Sequence, residues 1–132
     1  MSIRDVVSVV THSAWTKAAS GICILLIFVF SLLPQAERVS AGLPGVSEHF
    51  IAYSVTGLLL GLSIPGKHGP LLAAVHLTWI ACLLEFLQQW SPGRHPRVSD
   101  AVVSAVAGML GAGLAAWLRK RAETNLAAPQ RQ

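Results

Sequence analysis

The sequence predicts an all-α protein, an integral membrane bundle of four transmembrane helices with both termini cytoplasmic. Three observations carry that prediction. Of the 132 residues, 53% are hydrophobic and only 12% are charged, whereas a soluble domain carries about 25% charged residues over its surface. The apolar residues fall into four long runs, residues 14–33, 50–64, 70–90 and 101–118. A helix rising about 1.5 Å per residue needs roughly 20 residues to cross a hydrocarbon core about 30 Å thick. Finally, the lysines and arginines bracket these runs instead of collecting on one polar face, so the formal net charge of +4 reads as membrane flanks. No nucleic-acid partner is expected from that pattern.

Each run has its own punctuation. Arg4 and Lys17 flank the start of the first, as in a secretory leader, yet "LLPQAERVSAG" offers no small-x-small cleavage site directly after the apolar stretch. The run is therefore expected to stay as a helix, ended by Pro34. The second run is short, so its helix is expected to begin at Glu48 or His49, or to lie in locally thinned lipid. "PGKHGP" and "SPGRHPR" break the chain on either side of the third. After Leu118, "RKRAETNLAAPQRQ" reads as a frayed end, giving one transmembrane domain over residues 1–121 and a flexible cytoplasmic tail over 122–132. Cys23 and Cys82 sit inside apolar runs, where a small hydrophobe is the commonest role, and no disulfide is expected.

Orientation follows from the cations. With both termini cytoplasmic, that side holds seven of them (Arg4, Lys17, Lys67, Arg119, Lys120, Arg121 and Arg131) and the other side three, Arg38, Arg94 and Arg97. Cytoplasmic loops carry the excess of Lys and Arg, and Trp15, Trp90 and Trp117 fall where interfacial anchors belong. Glu48, His49, Glu85, Gln88, Gln89, Arg94, Arg97 and Asp100 then all lie at the outer end of the bundle.

Helical spacing predicts which way these residues point. His49, Tyr53, Gly57 and Gly61 recur every four residues on one face. The Gly57-x-x-x-Gly61 pair is a pattern that lets membrane helices approach closely. Ala74, Thr78, Ala81, Glu85 and Gln88 form a stripe on the third helix; Ala101, Ala105, Gly108, Ala112 and Ala115 form one on the fourth. Glu85 is roughly 7 to 8 Å below the interface by helical rise, and an ionisable group at that depth is a functional hypothesis by default.

The sharp reading is an outward-facing anion pocket. His49, Tyr53, Arg94 and Arg97 are its donors, Glu85 holds an arginine in place, and Gln88 and Asp100 complete the ligand-binding set. A plainer reading makes Glu85 with Arg94 or Arg97 a clamp between helix and loop. Asp100 then favours a positive helix N-terminus, with Ser99 as N-cap, and His76 is a hydrogen-bonded interior histidine. No HExxH, paired-cysteine or nucleophile motif is present, so neither a metal nor a cofactor is expected.

The order "EHFIAYSVTGLLLGL", "EFLQQWSPGRHPRVSD", then a final helix with "AGMLGAG", resembles the VanZ-like family of small bacterial membrane proteins over residues 49–113. The resemblance implies a helical bundle in the bacterial cytoplasmic (inner) membrane. For the founding member it implies low-level resistance to the glycopeptide antibiotic teicoplanin. By position it places the family's shared polar residues on His49, Glu85, Gln88, Arg94 and Asp100. Gly45 and Val46 stand where the family often has Asp-Lys, and Ser104 where it often has Asn.

Three functions compete. One is an envelope protein whose pocket binds an anionic lipid, a cell-wall precursor or a glycopeptide-type ligand. Another is a membrane enzyme on a lipid-linked substrate, with Glu85 or His49 as acid/base and the arginines stabilising developing charge. The third is a purely structural membrane subunit. Membrane lipids are the expected partners in each, and the sequence leaves the oligomeric state open.

Overall fold

The computed structural model describes residues 10, 11, 13–37, 42 and 45–127. Arg4, His12, Arg38 and Arg131, and the last five positions of the expected tail, lie outside the described residues. Among the described residues four long helices follow in order: α1 (Ala14–Leu32), α2 (Gly45–Ser63), α3 (Gly69–Leu87) and α4 (Val98–Ala127). There is no strand among the described residues. A 3₁₀ turn, Gln88–Trp90, prolongs α3.

Local chemistry sets the ends. Ser13 caps α1 by accepting the Trp15 N–H at 3.1 Å, and Pro34 follows its last turn. α2 begins at Gly45, three residues before Glu48, so its apolar part is preceded by a polar first turn. Pro70 stands in the first turn of α3, where a missing N–H costs nothing. α4 runs to Ala127, well past Leu118, so most of the expected tail is helical.

Three helical stretches, Ala14–Leu32, Gly69–Trp90 and Val98–Thr124, are long and apolar enough to cross a membrane. The interior explains why a bilayer suits them. α1 buries Thr16, Ser20, Ile27 and Ser31, while Leu25 (61% exposed), Leu71 (62%) and Trp79 (70%) face outward. Small and polar residues inside with large apolar ones outside is the membrane pattern, because lipid solvates leucine as well as a protein core does. Part of the polar interior is hydrogen-bonded within its own helix: Thr56 Oγ1 donates to Ala52 O at 2.7 Å and Ser63 Oγ to Leu59 O at 2.7 Å, whereas the buried Ser54 Oγ has no hydrogen-bond partner.

α2 is the inner helix, in contact with α1, α3 and α4. Its glycines allow the closest approach. A Cβ on Gly57 would land on the carbonyl oxygen of Gly108, one on Gly61 would sit 2.8 Å from Ala115 Cβ, and one on Gly111 would land on Ser54 O. The expected α2 and α4 faces therefore meet. The α3 face matches the expected stripe at Ala81 and Gln88, which are buried, but elsewhere it is turned by about one residue: Ala73, Leu77 and Leu84 are buried, whereas Ala74, Thr78 and Glu85 are half-buried. Leu77 fills the space above Gly108, so a large residue is matched to a missing side chain. His76 does not face inward either; it is exposed, and its Nδ1 lies 2.7 Å from Leu72 O within its own helix.

The helices alternate in direction. The α3–α4 connection docks on the end of α1, while the start of α1 meets the end of α2 through Ser20 Oγ and Ser63 Oγ, 3.2 Å apart. At that second end Arg119 donates to Gly61 O at 3.1 Å and the Arg121 guanidinium lies 5.2 Å from the Trp117 ring centroid.

Candidate functional site: a groove between α1 and α2

The α3–α4 connection organises one end of the bundle. Pro92 and Gly93 turn the chain: Gly93 has φ +74°, and the Arg94 N–H closes the turn on Ser91 O at 3.1 Å. The turn delivers three bonds. Ser91 Oγ donates to Leu32 O at 3.0 Å, Arg94 Nε to Leu33 O at 3.1 Å and an Arg94 terminal nitrogen to Phe30 O at 2.7 Å. These carbonyls end α1 and lack helical partners, and a cation is favoured at a helix C-terminus.

Glu85 finishes the same connection differently from the expected clamp. Its Oε1 accepts the main-chain N–H of Arg97, so it holds that arginine by its backbone, not by its guanidinium. Arg97 immediately precedes α4, and its carbonyl accepts the Asp100 N–H at 2.9 Å. The carboxylate of α3 thus serves the positive end of α4 as a capping residue would. Ser99 lies inside that helix and is not its N-cap; its hydroxyl donates to Asp100 Oδ1 at 3.1 Å. Glu85→Ala is expected to cost about 1–2 kcal/mol through this lost acceptor, and Glu85→Gln much less, since an amide oxygen still accepts. Chemical unfolding of the two variants in detergent checks it.

Beside this clasp a cavity of about 480 Å³ runs between α1 and α2. α1 contributes Cys23, Leu26, Ile27, Phe30 and Ser31; α2 contributes Glu48, His49, Ile51, Ala52, Tyr53, Val55 and Thr56; Arg94 stands over the mouth. From Glu48 to Thr56 the groove descends about 12 Å by helical rise. Its charged groups, Glu48 and Arg94, are at the mouth with His49, and the walls below are largely apolar. Tyr53, 2% exposed, ties the groove to the buried cluster of Ile27, Leu77, Ala81, Leu84 and Ala107. The His49 and Tyr53 rings are tilted at 38° with centroids 6.4 Å apart.

Of the expected site residues, His49, Tyr53 and Arg94 line this one groove, whereas Glu85, Gln88, Arg97 and Asp100 are not among its lining residues. Gln88 is buried at 5% exposure, and the Arg97 side chain is exposed. Glu48 and the α1 wall were missed as site residues. The signal for α1 was present: Thr16, Ser20, Cys23, Ile27 and Ser31 follow one another at helical spacings of four, three, four and four. Among the described residues no group of three or more His, Cys, Asp or Glu side chains is placed to hold a metal ion. Cys23 and Cys82 are free thiols.

The arrangement is suited to holding an amphiphile, with hydrocarbon against the walls and a polar group at the mouth. No family model, no curated protein and no solved structure matches the chain.

Proposed function

We propose that this multi-pass membrane protein binds an envelope amphiphile in the α1–α2 groove, with the polar head at Arg94 and His49. The observation that carries the reading is the groove itself: about 480 Å³, apolar along its depth, with a guanidinium, an imidazole and a carboxylate at one end. Clefts of roughly 300–1,000 Å³ with a few convergent polar groups are typical of small-molecule sites. Arg94 gives two of its N–H donors to α1, and the donors left on the guanidinium suit phosphate, whether on an anionic lipid or on a lipid-linked cell-wall precursor.

In this reading α2 spans the membrane as a fourth helix, shielded by its three neighbours. The cation distribution supports cytoplasmic termini: Lys17, Lys67, Arg119, Lys120 and Arg121 lie at one end, and Arg94 and Arg97 at the other. The groove mouth then opens on the outer face. The order of motifs supports a VanZ-like affiliation in a bacterial inner membrane, with a glycopeptide as the alternative ligand. A structural subunit is the second reading, favoured by Arg94 bonding to the main chain of α1. Catalysis has less support, because the Glu85 carboxylate is engaged in holding the start of α4.

Ala52 lines the groove yet is exposed, so extra bulk there fills the cavity without entering the core. Native mass spectrometry from mild detergent should show lipid retained by the wild type and reduced at least about tenfold in Ala52→Trp, with both eluting as folded protein. Equal retention by both would favour the structural reading.

A further inference from the structure

Glu48 changes the chemistry of the mouth. A site built only for an anion would surround it with donors, but here a carboxylate lines the same opening as Arg94, so their formal charges cancel. The mouth therefore offers one place for a negative group and one for a positive group, beside an imidazole able to donate or accept. Burying or crowding a carboxylate against a purely anionic head is unfavourable, whereas a head carrying both charges satisfies both sides. Glu48, His49 and Arg94 each also have a partner within the chain, so a ligand exchanges into an existing polar network.

The walls indicate which kind of group is attached to that head. Leu26, Phe30, Ile51 and Val55 line the groove while remaining 44–51% exposed on the surface of the bundle. The long side of the groove thus faces the region where hydrocarbon lies, and a chain can slide in from the bilayer without leaving an apolar medium.

We infer that the ligand of this groove is a phospholipid with a primary-amine zwitterionic head group: its phosphate lies on Arg94 and His49, its ammonium on Glu48, and one acyl chain between α1 and α2. The inference rests on the binding role proposed above and specifies its ligand. A primary ammonium donates N–H bonds to a carboxylate, which a quaternary ammonium does not, and charge-assisted bonds of this kind are the strong ones.

The test presents the purified protein with an equimolar mixture of phosphatidylethanolamine, phosphatidylglycerol and phosphatidylcholine of identical chains, and counts retained lipids by native mass spectrometry. The expected result is a preference for phosphatidylethanolamine over both others of about tenfold. In Glu48→Gln the preference over phosphatidylglycerol should vanish. A second series, needing no variant, offers the wild type mono-, di- and trimethylated ethanolamine head groups, and retention should fall with each N–H replaced. If phosphatidylglycerol is preferred, or methylation has no effect, while Ala52→Trp still removes the lipid, the head-group assignment is overturned and the groove remains a lipid site. If Ala52→Trp retains the same lipids as wild type, both are overturned and the bound molecules are annular lipid.

Discussion

Gly111→Ala is expected to destabilise the bundle by about 3 kcal/mol, the upper end of what overpacking costs. The added Cβ would land on the carbonyl oxygen of Ser54 and within 2.8 Å of Leu58 N. Both are backbone atoms of α2, so relief requires moving a helix and cannot come from a side-chain rotamer. Gly57→Ala should behave alike, because its Cβ meets the backbone of Gly108 and Ala112. Gly113→Ala, two residues along α4 with nothing within 4 Å of its Cβ, is the control. It should be neutral or stabilising by up to about 1 kcal/mol, since alanine is the better helix former. Thermal unfolding followed by circular dichroism in one detergent ranks the three; a Gly111→Ala variant as stable as Gly113→Ala would refute the close α2–α4 packing.

Replacement of Arg94 by alanine is expected to cost about 2–4 kcal/mol and to abolish lipid retention together. The guanidinium makes two of the bonds that tie the connection to α1, at 3.1 and 2.7 Å, and it stands over the groove mouth. Removing it leaves the carbonyls of Phe30 and Leu33 without these donors and the mouth without the remaining guanidinium N–H groups. Arg94→Lys keeps the charge but not two separated donors in one plane, so it should recover part of the stability and little of the head-group selectivity. Unfolding in detergent and lipid retention, measured on the same preparations, check both effects. Full stability in Arg94→Ala would mean that the connection is held by Ser91 and Glu85 alone.

The helix count, the order of helices and the meeting of α2 with α4 were legible in the amino acids, because glycine and alanine at spacings of three and four have few other uses in an apolar helix. The face of α3 was legible only at Ala81 and Gln88. A search for small residues favours Ala74 and Thr78, but the structure buries Leu77 at 0% exposure, since Gly108 opposite leaves a hollow that only a larger side chain fills. That match depends on two helices at once and has no signature in either alone. The site was half legible for a related reason. His49, Tyr53 and Arg94 were singled out by residue type, and all three line the groove. Glu85 was expected to hold either Arg94 or Arg97 through a guanidinium; it holds Arg97 through the main-chain N–H just ahead of α4, a contact that has no residue-type signature. Glu48 was recognised as standing at the polar end, yet its place beside Arg94 depends on how a loop folds over α1, which lies far away in the chain.

The glycine face of α2 also has a temporal meaning. During synthesis α2 emerges well before α4, but the surfaces that complement Gly57 and Gly61, those of Gly108, Ala112 and Ala115, belong to that later helix. Until α4 leaves the ribosome, a helix headed by Glu48 and His49 carries a bare seam. Pairing so distant in sequence is slow to form and leaves nascent surface exposed in the interval. A chain cut short before Val98 would therefore keep α2 without its closest neighbour, its glycine seam open to lipid or to another chain.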